Sequence, residues 1–199
     1  MSIFKTILSI ITIIIIISIF MSFSIRKKTE RQSYRLVKQF DDFEIRYYPK
    51  SIMATVTSNT ETYMDNSNSN FRRLAGYIFG NNNREDKISM TAPVHMQKKG
   101  NKNEMSFVMP SQYKMEQLPT PRDSSIKLHY SEEGYYAAIK FGGYANNRII
   151  ENKEEQLKKL IEQKGYEIIG LFHFLGYNAP WDFLNRENEI LVKITFQEE

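Results

Sequence analysis

With 199 residues the chain can hold one core plus accessory segments. It has no cysteine, which excludes disulfide scaffolds, thiolate metal ligation and thiol redox chemistry, and its 13% aromatic content supplies core material without them. The net charge is +4, with Lys and Arg interleaved among Asp and Glu, so there is no continuous cationic stripe and no nucleic-acid partner is expected.

Residues 7–25 carry no charge and are mostly Ile, Leu, Phe and Met. As a helix they extend about 28 Å, close to the apolar thickness of a bilayer. Bulky Phe20, Met21, Phe23 and Ile25 stand where a cleavable signal would need small residues. The expectation is a retained transmembrane anchor over 1–25, a charged linker over 26–33 and a globular domain over 34–199. Arg26, Lys27, Lys28, Arg31 and Arg35 follow the apolar run, placing the domain of this single-pass membrane protein on the cytoplasmic side by the positive-inside rule.

Strands are expected at 34–40, 43–48 and 51–58, where β-branched and aromatic residues are bounded by Asp41-Asp42 and Pro49. After a polar stretch, Phe71, Leu74, Ala75 and Ile78 recur at helical spacing, and Gly80 ends the helix. Runs at 88–97 and 104–109 flank a turn-like segment and predict a hairpin, with Pro93 at a bulge or an edge. Strands at 126–130 and 135–141 come next. A second helix is capped by Asn146 or Asn147 and stopped at Gly165, and strands at 167–175 and 189–196 complete the chain. The order repeats strands, helix, strands, which implies two similar halves. The fold class is α+β: a twisted antiparallel β-sheet or a distorted β-barrel with two flanking helices.

No GxSxG elbow, phosphate loop, HExxH or dinucleotide fingerprint is present, so catalysis is not expected. The three histidines share no chelating spacing. His95 and His129 alternate with neighbours in a way that points them to solvent, whereas His173, inside the apolar run 171–175, reads as buried. Taken as residues alone, Phe71, Leu74, Ala75 and Ile78 form an ordinary core-facing stripe, with Arg72 and Arg73 in solvent.

Five strings resemble segments of the SOUL/heme-binding protein family, in that family's order: FEIRYYP (43–49), FRRLAGYIFGNN (71–82), KISMTAPV (87–94), FGGYA (141–145) and GYNAPWDFLNRENEI (176–190). The resemblance implies a twisted barrel with two helices and a heme or other porphyrin ligand held in an apolar groove beside the first helix. Phe71, Leu74, Ala75 and Ile78 would then be its wall, Arg72 and Arg73 its cationic border, and Tyr177 a hydroxyl near the propionates, or else a structural tyrosine at a strand end. Where some relatives carry lysine and methionine on this helix, this chain has Gly76 and Ala75. At Tyr47 one branch carries a ligating histidine, so that ligation does not transfer, and Tyr47 and His173 are the axial candidates here. Two readings result: a membrane-tethered tetrapyrrole carrier, buffer or sensor, and a hydrophobic-ligand or protein-interaction module at a membrane surface without heme. Modification of the tetrapyrrole is a third.

Overall fold

A computed structural model of the protein describes residues 4, 6–13, 29–178 and 185–198, and the chain divides into compact units 1–30 and 31–199. In the first unit residues 6–13 are helical and exposed. Among the described residues no helix is long and apolar enough to cross a membrane, so the expected spanning helix is not found there. Most of the 7–25 run, together with Trp181, lies outside the described residues.

The two-residue strands β1 (Glu30–Arg31), at the division between the units, and β5 (Thr91–Ala92) stand apart from one nine-stranded sheet in the second unit. That sheet is made of β2 (Arg35–Gln39), β3 (Glu44–Tyr48), β4 (Ile52–Ser58), β6 (Val94–Lys99), β7 (Lys102–Val108), β8 (Ile126–Tyr130), β9 (Gly134–Gly142), β10 (Ile168–Gly176) and β11 (Glu187–Ile194). The order is β2-β3-β9-β11-β10-β6-β7-β4-β8, with every pairing antiparallel.

The sheet does not close, which corrects the barrel alternative. Its ends are β2 and β8, each with a neighbour on one side only. Exposed Arg35, Lys38 and Gln39 keep β2 in water, as charged residues do on strands that must not pair further.

Two helices, α1 (Ser67–Ile78) and α2 (Asn147–Gln163), pack on one face. The two halves are visible in the topology. β4-α1-β6-β7 and β9-α2-β10-β11 each place the last strand between the other two, and the halves join where β6 meets β10.

Of the expected α1 stripe Leu74 and Ile78 are buried, while Phe71 and Ala75 are half-buried and Asn70 and Tyr77 turn inward in their place. Asn70, Leu74, Tyr77 and Ile78 of α1 are buried, as are Ile150, Leu157 and Ile161 of α2. They meet Ala54, Val56, Met96, Met105, Phe107, Ile190 and Val192 from the sheet in one core. The Asn146 side chain caps α2 by accepting from the Ile149 N–H at 2.9 Å. Gly80, at φ +113°, ends α1 in a conformation that an L side chain rarely adopts. The strand parity that sends these apolar side chains to the helices sends the alternate ones to the opposite face, away from α1 and α2.

Candidate functional site

The sheet offers two surfaces, and the residues singled out in the sequence are divided between them. On the helix side, Leu74 is 0% and Ile78 1% exposed, both inside the core, while Phe71 lies edge-on to Phe107 at 5.3 Å. Burying each such side chain stabilises the fold by about 1.5–3 kcal/mol. Lifting α1 to show both to a ligand would therefore cost roughly 3–6 kcal/mol.

An open hollow of about 530 Å³ does lie beside α1, but Asn66, Asn68, Ser69, Arg72, Arg73 and Asp123 dominate its lining. Arg73 donates to Asp123 at 2.8 and 3.2 Å and to Ser125. Hydrogen bonds from Ser125 and Arg73 hold the Asp123 carboxyl down at about 2. The hollow therefore offers cations and amides rather than an apolar wall. Tyr47 packs against Tyr135, with ring centroids 5.3 Å apart, under the Arg35 guanidinium.

The helix-free face is built differently. Arg46 of β3 is 0% exposed, and its guanidinium donates to both Glu189 oxygens at 2.8 and 2.9 Å, to Glu44 at 2.7 Å and to the Tyr48 hydroxyl at 3.0 Å. Tyr177, read as a propionate donor or as a structural tyrosine at a strand end, donates to Glu189 at 2.8 Å, and burial beside that carboxylate pushes its pKa up. Next to this cluster a groove of about 470 Å³ crosses the sheet. Its lining includes His95, His129 and His173 with Tyr136, Leu171 and Leu191.

His95 is not in solvent. It is 6% exposed and its Nε2 lies 2.7 Å from the Gln32 side-chain oxygen. Burial first, and His173 second, lower its pKa to about 3. His173 is half-buried on the groove side rather than in the apolar core. Its Nε2 is 2.9 Å from the Gln97 amide nitrogen, and burial lowers it to about 4. The two rings stand edge-to-face with centroids 6.0 Å apart. His129 is exposed, as expected. Its Nδ1 lies 3.0 Å from the Tyr130 carbonyl and its Nε2 2.8 Å from the Thr55 hydroxyl, which in turn lies 2.6 Å from Ser106.

One wall of the groove is a bulge. Ile168 pairs with Ile194 and Phe172 with Val192, so residues 169–171 face Lys193 alone. Gly170 permits it, since a Cβ there would sit 2.8 Å from the Lys193 Cβ. Ile169 and Leu171 are left 53% and 43% exposed at the rim, with Tyr130 at 53% across from them. Exposed apolar residues gathered at a groove are a sign of a binding surface.

A model of the SOUL heme-binding protein family matches residues 29–193. The chain belongs to that family. Curated relatives include heme-binding protein 2 of Mus musculus and of Homo sapiens, each 24% identical over 156 residues that make up 74% of this chain and 76% of the relative. Heme-binding protein 1 of Xenopus laevis is 24% identical over 155 residues, covering 81% of its length. Among solved structures the fold resembles the EcmrR C-terminal domain, with a TM-score of 0.58 and 11% identity, covering 78% of this chain and 98% of that one. It also resembles an uncharacterized conserved protein from Listeria innocua, with a TM-score of 0.57 and 11% identity, over 77% and 92%. At such identities the structural likeness speaks for the fold alone.

Within this SOUL family member, the alternation that marks the groove face is present in the sequence. His95 and Gln97 alternate with Val94 and Met96, and His173 with Phe172 and Phe174. Parity alone assigns them to one face, but it carries no information about Gln32 covering that face or about the neighbouring strand.

Proposed function

We propose that this chain binds heme or a related tetrapyrrole in the groove on the helix-free face, as a carrier, buffer or sensor without turnover. Family membership supports the ligand class. The observation that carries the placement is the groove itself: about 470 Å³, within the range of small-molecule sites, with exposed Ile169, Leu171 and Tyr130 at its rim.

The lining is mixed. Tyr136, Leu171 and Leu191 suit the ring, the imidazoles suit iron and Lys99 suits a propionate, beside Glu104, Gln32 and Gln97 and a Lys193 that pairs with Glu132 at 2.7 Å. Heme, when bound, supplies an iron centre, and the chain supplies a groove of mixed polarity with charges at its edge. The arginine-lined hollow beside α1 is the second placement, favoured by Arg72, which has no ion pair with any described residue.

Hemin titration of the full chain in detergent tests the proposal. The wild type is expected to give a saturable, shifted Soret band. Leu171→Glu, a change at an exposed position, is expected to weaken binding about tenfold or more, with Arg72→Ala close to wild type. The reverse pattern would move the ligand to α1, and a spectrum identical to free hemin would end the tetrapyrrole reading. Binding of lipid but not of metal-free porphyrin would favour the interaction module instead.

The uncharged run 7–25 supports a further element of the reading, that the domain is tethered to a membrane. Full-length chain is expected in the pellet after alkaline carbonate washing and in the supernatant after detergent. Release by carbonate alone would remove the tether.

A further inference from the structure

The rim of the helix-free groove combines exposed apolar side chains with cations. The bulge in β10 leaves Ile169 and Leu171 in water, and Tyr130 stands exposed across from them. Lys99 lines the groove with Leu171 and pairs in register with Lys102, which shares its face with Glu104. Lys127 of β8 is exposed on the face of His129, two residues away. These three lysines have no ion-pair partner among the described residues. Of the carboxylates in the lining, Glu132 is taken by Lys193 at 2.7 Å and Glu104 is half-buried, so the excess charge at the rim is positive. The chain also enters the domain on this face. Arg31 donates to both Glu187 oxygens at 3.0 and 2.7 Å and lies over the Tyr177 ring, Gln32 reaches His95, and the Tyr34 ring covers Arg46.

Resting on the reading that the run 7–25 is a tether, we infer that the rim of this groove docks on an anionic lipid surface. Arg31 is the sixth residue after Ile25, the last of the uncharged run, and six residues reach at most about 22 Å. The point at which Arg31 is fastened, on the helix-free face, is therefore held near the headgroups. Ile169, Leu171 and Tyr130 enter the boundary between headgroups and acyl chains, and Lys99, Lys102 and Lys127 face the anionic headgroups. A lipid surface fits this pattern better than a folded partner. A stable protein interface buries about 800 Å² on each side around a packed apolar centre, whereas three side chains standing on a rim ringed by lysines suit a fluid interface. The docking is independent of which hollow takes a tetrapyrrole, and it leaves the one beside α1 open.

The absence of cysteine makes the test direct, since Ile169→Cys introduces a single labelling site at an exposed position. The full chain, labelled there with nitrobenzoxadiazole, is reconstituted in phosphatidylcholine vesicles with or without phosphatidylserine. With phosphatidylserine the emission is expected to shift to the blue and to be quenched by spin-labelled lipid. The same dye on Lys158→Cys, exposed on α2, is expected to stay as in water. Adding Lys99→Gln, Lys102→Gln and Lys127→Gln to the Ile169→Cys chain should lower the ratio of docked to free domain about a hundredfold. A water-like emission at 169, an equal response at 158, or a shift as large without phosphatidylserine overturns the docking while the tether stands. A blue shift that grows with the ratio of protein to lipid would put a second copy of the chain on the rim and also overturn it. Release of the chain by carbonate would instead remove the tether on which the docking rests.

Discussion

Replacing Glu189 with alanine is expected to destabilise the protein by about 3 kcal/mol, because a buried guanidinium loses its bidentate partner and keeps only Glu44 as counter-charge. Arg46 and Glu189 are 0% and 1% exposed and lie on β3 and β11, with β9 between them. Small Ala138, on β9 and on the same face, lets the two long side chains meet above it. The pair is bidentate, and Tyr48, Tyr177 and Glu44 complete its hydrogen bonding, while the Tyr34 ring lies 4.2 Å from the guanidinium carbon.

Taking two charges out of water carries a penalty that this geometry offsets. Removing Glu189 leaves the penalty on Arg46 with only the offset from Glu44. The double variant Arg46→Met, Glu189→Met exchanges the pair for apolar side chains and is expected to recover a large part of the loss, the remainder reflecting the orphaned Tyr48 and Tyr177 hydroxyls. Urea midpoints for the two single variants and the double variant measure the coupling. A loss below about 1 kcal/mol for Glu189→Ala would mean that the pair is hydrated.

Much of this fold is legible in the sequence because each element carries its own period. Leu74 and Ile78 announce the α1 stripe, Asn146 and Gly165 bracket α2, and alternation from Val94 to Gln97 marks a strand. Closure of the sheet is not legible, since it depends on whether β2 and β8 meet, and nothing local to either strand decides that. The site was less legible than the fold. The apolar residues of α1 read equally well as core or as groove wall, and only their contact with Phe107 and the sheet separates the two. Arg46 and Glu189 look like solvated strand charges in one dimension. They become a buried pair because β9 brings their strands within reach on the same face. His173 was drawn toward the core by the run LFHFL, in which Phe172 and Leu175 point to opposite faces. A continuous apolar run in a strand buried on both sides conceals which side a single polar residue takes.

Mild acid is expected to weaken the fold well before its carboxylates titrate, and His95 is the main reason. An unfolded imidazole takes up a proton near 6.5, whereas burial holds His95 at about 3 in the folded chain and His173 at about 4. Above 6.5 both states are neutral and the imidazoles leave stability unchanged. As pH falls below 6.5 the unfolded chain gains protons that the folded chain refuses, so stability declines until the folded pKa is reached. For His95 alone the slope is about 1.4 kcal/mol per pH unit, and His173 adds in the same direction.

Glu44, Asp123 and Glu132 have pKa values lowered by their hydrogen-bonded partners and act in the same sense, but only below about 4.5, where their unfolded counterparts titrate. Buried Glu154, its carboxyl raised by desolvation, takes up a proton in the folded chain first and opposes the fall above 4.5, so between 6.5 and 5 the two imidazoles act against that one carboxyl. Urea midpoints at pH 7, 6, 5.5 and 5 should fall progressively. His95→Gln, which keeps a side chain able to bond Gln32, should flatten most of that fall while leaving the drop below 4.5 in place. A midpoint constant from pH 7 to 5 in the wild type would show that water reaches His95.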